Sequence, residues 1–408
     1  MSYFKSAEII EICTFKSYNQ FRSAKMKESL KRKYYQLSKD EFNELLDSIR
    51  NNPDTIVLFK ELDKQYYFLL NNNISTLLIE LHKKQWEFDG LMNSFSEFGR
   101  KQIIQSFLLD EIQSSNSIEN IYSTRHDIFY LINGGLNIKD KKTECITKAY
   151  SILLKKEIKN IETLSDIRNV YDLLMYDIIE KENIPDGKYF RKDRVYISDG
   201  IKNIHAGYYP EDKIISAMKD FLKIYNDKDL DLYVSLPLTH FVFETVHPFY
   251  DGNGRLGRLL LSMKMFNDTS SYMSFILSKA IKNNKTKYYR ALEKARDDRE
   301  YGLLNQFVYD FDMMILNSVN QVINEINEKK NNISTYLDEN KYSKSETKIL
   351  SILNEATVLS DYGVSMNEII ENTHLSKRII AYTIKKLKTN NKLSIKRIGK
   401  NNYYSLIQ

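Results

Sequence analysis

Twelve consecutive residues, His247 to Arg258 (HPFYDGNGRLGR), gather a histidine, an acid, an asparagine, three glycines and two arginines. His247 is the one group in the stretch whose ordinary pKa, about 6.5, suits taking up a proton near neutrality. Asp251 is a hard oxygen ligand of the kind Mg2+ uses beside substrate phosphates. Gly252, Asn253 and Gly254 precede the amphipathic run RLGRLLLSMKMF, so their backbone N–H groups fall at a helix N-terminus, where unpaired donors favour an anion. Arg255 and Arg258 lie three apart on that helix, project on one side, and each offers a planar fork to a phosphate. Together these groups describe phosphoryl or nucleotidyl transfer from a nucleoside triphosphate to a hydroxyl.

Gly252, Gly254 and Gly257 also spell GxGxxG. A dinucleotide fold needs a strand before that pattern and an acid about twenty residues on, at the end of a second strand. No such strand follows, and the preceding YVSLPLTHFVFETV fits a buried helix as well as a strand. The Val and Lys of a kinase loop and the Gly-Lys-Ser/Thr of a Walker loop are missing too. Singly, each residue has a plainer use: helix charges for the arginines, a cap for Asp251, and a satisfied core or surface group for a histidine, as for His82 and His240. Only their joint presence points to a site.

Long helices must position these residues. With 13 Gly and 5 Pro among 408 residues, the chain reads as mainly α with room for two or three domains. Residues 1–95 read as a helical N-terminal region, for example LSKDEFNELLDSIRNN with Ser38 as N-cap. More helix follows through FLLDEIQSSNSIENIYSTRHDI, TKAYSILLKKEI and DIRNVYDLLMYDIIEKE. The pattern breaks where Pro185, Gly187, Gly200 and Gly207 flank two β-prone pieces, one around Val195 to Ile197, which predicts a hairpin. Helices resume near Glu211 and run to a polar linking helix over 316–340. Charges interrupt the opening residues and no run of eighteen apolar residues occurs, so no membrane partner is expected. Cys13 and Cys145 lie too far apart in sequence to suggest a disulfide framework, and a reducing cytoplasm fits best.

The last segment differs in composition. Residues 341–408 hold twelve Lys and Arg against five Asp and Glu, a net +7 that leaves −1 for the remainder of a chain of +6. SKSETKILSILNE predicts one helix, a capping box of Ser365 with Glu368 starts a second, and Ser376 caps a third. Ile380, Ile384 and Leu387 face inward on the third, leaving Lys377, Arg378, Lys385 and Lys388 outside. LSIKRIGKNNYYSL then reads as two strands about a turn. This is a winged helix-turn-helix pattern, a candidate DNA contact through residues 341–408, although such folds also serve as protein adaptors.

The twelve-residue stretch resembles the signature of the Fic family, HxFx(D/E)GNGRxxR, matched by His247, Phe249, Asp251, Gly252, Asn253, Gly254, Arg255 and Arg258. The resemblance implies a Fic-type helical domain over 96–315 with a β-hairpin flap that docks targets. It also implies a nucleotide pocket lined in part by Tyr288 and Tyr289 of KYYRAL, and ATP with Mg2+ as reagents. AMP would pass to a Tyr, Ser or Thr hydroxyl of a target protein, the chain itself included, and a homodimer is compatible with it. SSNSIEN fits a second family pattern, [S/T]xxxE[G/N], with Ser115, Glu119 and Asn120 at its fixed positions. That resemblance implies an inhibitory helix near 112–124 whose Glu119 pairs with Arg258 and denies it to the γ-phosphate. The plainer use of SSNSIEN is a helix end. The expectation is therefore an adenylyltransferase inhibited by its own Glu119, able also to remove AMP. The alternative is a DNA-binding regulator whose Fic domain senses nucleotide.

Overall fold

A computed structural model describes residues 30–61, 64–136, 138–157, 160–198, 203–333 and 342–407. The opening residues with Cys13, residues 199–202 of the expected hairpin region, the end of the expected linking helix at 334–340 and residue 341 lie outside them.

The N-terminal part opens with α1 (Leu30–Gln36) and α2 (Lys39–Arg50), the latter begun by a capping box of Ser38 with Glu41. Next, where the sequence reading has only helix, comes an antiparallel hairpin of β1 (Thr55–Glu61) and β2 (Lys64–Leu69). TIVLFKE and KQYYFL are rich in β-branched and aromatic residues, which suit a pleated, half-buried surface. Tyr67 extends the pairing to the backbone of Gly302 and Leu304, at 3.0 Å each.

Two long helices follow, α3 (Asn72–Asn93) and α4 (Glu97–Ile118), then α5 (Arg125–Ile132), α6 (Lys141–Leu154) and α7 (Leu164–Met175). The predicted hairpin is β3 (Tyr196–Ser198) with β4 (Asn203–Ala206). After it run α8 (Glu211–Asn226), α9 (Leu232–Val246), α10 (Asn253–Thr269), α11 (Leu277–Asn283), α12 (Lys285–Arg296) and α13 (Asn305–Ile333). Every residue of α9 from Tyr233 to Phe243 is buried. That burial on all faces is why its sequence lacks the period of a surface helix.

One hydrophobic core runs from Leu58 in β1 through Ile326 in α13 and takes in Leu359, Tyr362, Ile398 and Tyr403 near the C-terminus, with no break near residue 95. The expected boundary at 95/96 is therefore not a boundary of packing: α3 lies along α13 in the same core as the rest. The linking helix also differs from expectation. It starts at Asn305, and Phe307, Phe311, Ile315, Val319, Val322 and Ile326 turn inward as a core stripe.

The C-terminal part comprises α14 (Lys344–Leu359), β5 (Val364–Ser365), α15 (Met366–Thr373), α16 (Lys377–Thr389), β6 (Leu393–Ile398) and β7 (Asn401–Leu406), with the strands in the order β5-β7-β6. Ser365 and Glu368 form their capping box and Ser376 caps α16. Ile380, Ile384 and Leu387 are buried while Lys377, Arg378, Lys385 and Lys388 are exposed. This part has its own apolar cluster, and one member, Phe98, comes from α4.

Asp312 is fully buried in α13 with neither carboxylate oxygen hydrogen-bonded, and burial raises its pKa well above the ordinary carboxylate range. The folded chain thus retains a proton that the unfolded chain releases near pH 4, so stability must fall as pH rises above that value. Asp312→Asn is expected to match the wild type in melting temperature near pH 4 and to exceed it increasingly toward pH 8. Parallel curves for the two would show that Asp312 carries no such penalty.

Candidate active site

The chain leaves α9 through His247, which takes the left-handed conformation (φ 54°) and donates its N–H to the Phe243 carbonyl at 2.9 Å. The following loop is held from several sides. The Phe249 ring stacks on Tyr171 with centroids 3.7 Å apart and meets the edge of Phe190. The side chain of Asn253 closes the loop, accepting from the Phe249 N–H at 2.9 Å and donating to the Phe249 carbonyl at 2.8 Å. Asn253 therefore offers an anion only its backbone; its amide group is committed to the loop.

Gly252 starts α10 with φ 82°, a conformation that suits glycine, and a Cβ there would lie 2.6 Å from the Met175 sulfur. No side chain caps this helix. The cradle is narrower than expected, because the Gly252 N–H already donates to Asp251 Oδ1 at 2.6 Å.

The two arginines diverge, contrary to the expectation that both face phosphates together. Arg255 is buried, with Nη2 3.7 Å from Asp251 Oδ2, and its Nε and Nη1 have no hydrogen-bond partner. Arg258 turns toward the end of α4: Nε donates to Ser115 Oγ at 3.0 Å, and Nη2 to the Ser115 carbonyl at 3.0 Å and to Glu119 Oε1 at 2.9 Å. Glu119 Oε1 also presses on Gly254, where a Cβ would clash with it. The carboxylate thus covers the first turn of α10, the place sequence reasoning assigned to an anion. Burial opposes the charge on Arg258, but Glu119 and Glu244 outweigh it and the guanidinium holds its proton more tightly than usual.

The element bearing Glu119 is the last turn of the 22-residue α4, which ends at Ile118, so a helix over 112–124 is not what forms. Glu119 is its C-cap, and Asn120 follows at φ 57° to turn the chain away. Helix end and arginine partner are thus both true of SSNSIEN. Lys285 at the start of α12 fastens the end by donating to the Ile118 carbonyl at 2.9 Å.

Tyr288 is buried with its hydroxyl 2.8 Å from His240 Nε2, so it is a wall behind α9 and not an open lining; Tyr289 packs edge-on beside it and is 41% exposed. His240 is a core histidine whose pKa falls to about 3 through burial, so it stays neutral. His82 meets Asp231 at 2.8 Å.

Sequence reasoning missed Arg191 and Glu244. Arg191 is fully buried and donates from Nε to the His247 carbonyl at 2.9 Å and from Nη2 to the Val246 carbonyl at 3.3 Å, fixing the peptides on either side of the histidine. Burial draws its pKa down to about 10. Gly207, just past β4, packs so closely on Arg191 that no side chain would fit, and this links the hairpin to the His247 loop. Nothing in the spacing of KYFRKDRVY marks Arg191. Glu244 did leave a signal, an acid within the apolar run FVFETV.

A buried helix, an aromatic-braced loop leading to a helix start with no side-chain cap, and an arginine clamped by an upstream glutamate come together beside His247. Residues 161–264 match the Fic/DOC family, and the chain carries a Fic/DOC domain over that stretch. The fold is similar to that of a Fic family protein from Desulfovibrio desulfuricans G20, with a TM-score of 0.53 and 18% identity over 83% of this chain and 97% of that one. A looser likeness is to residues 134–508 of Fic-1 from C. elegans, with a TM-score of 0.46 and 19% identity over 62% of this chain and 73% of that one. Over 115 residues the chain is 31% identical to a protein of Aquifex aeolicus (strain VF5) named a probable protein adenylyltransferase. The match takes in 28% of this chain and 32% of the relative, about a third of its length.

Proposed function

We propose that this protein is an adenylyltransferase, moving AMP from ATP to a Tyr, Ser or Thr hydroxyl of a target protein and restrained by its own Glu119. The observation that carries the reading is the bond from Arg258 to Glu119, which joins two motifs 139 residues apart across the first turn of α10. A carboxylate there excludes a phosphate by charge and by volume.

In the proposed reaction His247 takes the proton of the acceptor hydroxyl as its oxygen attacks the α-phosphorus, and the bond to pyrophosphate breaks. The Asn253 and Gly254 amides and the unpartnered Nε and Nη1 of Arg255 supply donors for phosphate oxygens. Arg258, once released, stabilises charge on the leaving group. Asp251, whose side chain is 47% exposed, fits Mg2+ as a single hard carboxylate with room for phosphates and water around the ion. Bound there, Mg2+ would neutralise phosphate charge. The hairpin β3–β4, anchored through Gly207 to Arg191, is the surface where a target segment would dock. With Glu119 orienting a water, the same groups serve removal of AMP.

Incubation with ATP labelled on the α- or the γ-phosphate tests the reading. Label on protein from the α position alone supports it, and label from the γ position would replace it with phosphoryl transfer.

A second reading has its own observation: the exposed Lys377, Arg378, Lys385 and Lys388 on α16, in a segment of net +7, favour a DNA contact. Lys377→Glu with Arg378→Glu should weaken duplex binding and lower the salt slope by about 2. An unchanged slope would leave α16 as an adaptor surface.

A further inference from the structure

Among the described residues, the side-chain hydrogen bonds of Arg258 all run to the end of α4: Ser115 Oγ, the Ser115 carbonyl and Glu119 Oε1. Activation requires Glu119 to withdraw, which removes a charged partner from a guanidinium only 2% exposed. A buried charge stripped of its partner is strongly destabilising unless another group compensates. Resting on the adenylyltransferase reading, the question is what keeps Arg258 charged and aimed afterwards.

Glu244 is a second carboxylate at the same place, and it belongs to α9, the helix that delivers His247. Its Oε1 has no hydrogen-bond partner among the described residues and lies against Gly257, the residue before Arg258, 2.5 Å from where a Cβ would stand. Its backbone is fixed, since Arg296 donates from Nη2 to the Glu244 carbonyl at 2.9 Å and from Nε to Thr245 Oγ1 at 3.2 Å. Glu244 therefore cannot leave with α4.

We propose that Glu244 is a positioning residue, the fixed carboxylate to which Arg258 passes when Glu119 withdraws. Arg258 then has two alternative anionic partners, one on the inhibitory segment and one on the catalytic helix. The groups facing Glu244 are Arg258 of α10, Glu119 at the end of α4, Tyr288, Tyr289 and Arg296 of α12, and His240 of its own helix, the last held neutral. Burial raises the Glu244 carboxyl to about 7, Arg258 and Arg296 oppose that rise, and Glu119 adds to it. Removing Glu119 consequently lowers the Glu244 pKa and favours the ionised form that Arg258 needs. Glu244 is thus pressed toward its acid form while Glu119 is engaged, and its carboxylate form is favoured when Glu119 withdraws.

The first test uses ligand-free full-length protein and so does not depend on AMP transfer. Glu244→Gln in the wild type should leave the melting temperature unchanged or raise it, because it relieves repulsion from Glu119. The same change made in Glu119→Gly should lower it by about 2 °C or more, by removing the last carboxylate beside Arg258. Equal shifts in the two backgrounds overturn the proposal.

The second test reads function. In Glu119→Gly, kcat/KM for ATP should fall toward acid pH as Glu244 takes up its proton. Adding Glu244→Gln should remove that limb and raise KM for ATP about tenfold, and adding Glu244→Asp instead should restore part of the loss. An unaltered pH profile in the Gln variant also overturns the role. Absence of AMP transfer from every variant, with the melting pattern as expected, would instead strike the adenylyltransferase reading.

Discussion

His247→Ala is expected to lower AMP transfer by about 10²- to 10⁴-fold, the usual worth of a positioned proton acceptor. The variant should bind ATP with nearly wild-type affinity, because no phosphate-facing donor is removed: Arg255, Arg258 and the α10 amides are all left in place. Both measurements are needed. The histidine backbone is held by Arg191 through the carbonyls of Val246 and His247, and that clamp is independent of the imidazole. Loss of transfer with ATP affinity kept assigns His247 to the acceptor hydroxyl. Transfer at the wild-type rate would sink the assignment, and equal loss of both would make His247 a binding residue.

The second large effect concerns the Glu119–Arg258 pair. Glu119→Gly should raise transfer to targets or to the protein itself by about 5- to 150-fold, for a coupling of about 1 to 3 kcal/mol. Arg258→Ala should be nearly inactive, since it removes a phosphate ligand. The double variant should stay close to Arg258→Ala, because clearing Glu119 from the first turn of α10 does not restore the missing guanidinium. If Glu119→Gly leaves activity where it was, the contact at 2.9 Å is a helix end and no more. A double variant as active as Glu119→Gly would remove Arg258 from the mechanism.

The candidate site was legible as a cluster in the sequence because a short signature concentrates unlike functional groups, and joint rarity is readable without coordinates. Its arrangement was less so. Asn253 looked like a phosphate ligand, but the loop needed its side chain to pair both backbone groups of Phe249. Arg255 and Arg258 share a helical face by spacing, yet α4 claims one of them, and contacts between segments far apart in sequence leave no periodic trace. Arg191 went unnoticed for the same reason. In the fold, residues 55–69 read as helix because the N-terminal region was judged by its most periodic pieces. The β-branched and aromatic content of TIVLFKE and KQYYFL outweighs that pattern once the two strands pair with each other and Tyr67 of the second pairs with Gly302 and Leu304. The linking helix looked polar because its apolar stripe is interspersed with Asn, Gln and Glu, which face outward.

The seating of Phe98 gives α4 a mechanical meaning. Phe98 is sunk in the apolar cluster of the C-terminal part, and beside it Ser96 donates to Glu355 of α14 at 2.5 Å. From there to Glu119 runs one unbroken helix of 22 residues, about 33 Å long. Such a rod is a lever. Tilted by about 5° with Phe98 as fulcrum, it would carry its far end about 3 Å, by that helical rise. That travel is as large as the 2.9 Å bond it would have to break. Such a tilt has to carry the middle of the rod with it, where buried Glu111 accepts from Tyr150, Ser262 and Ser278, so the latch on Arg258 is tied to the helices packed along α4 and not to its far end alone.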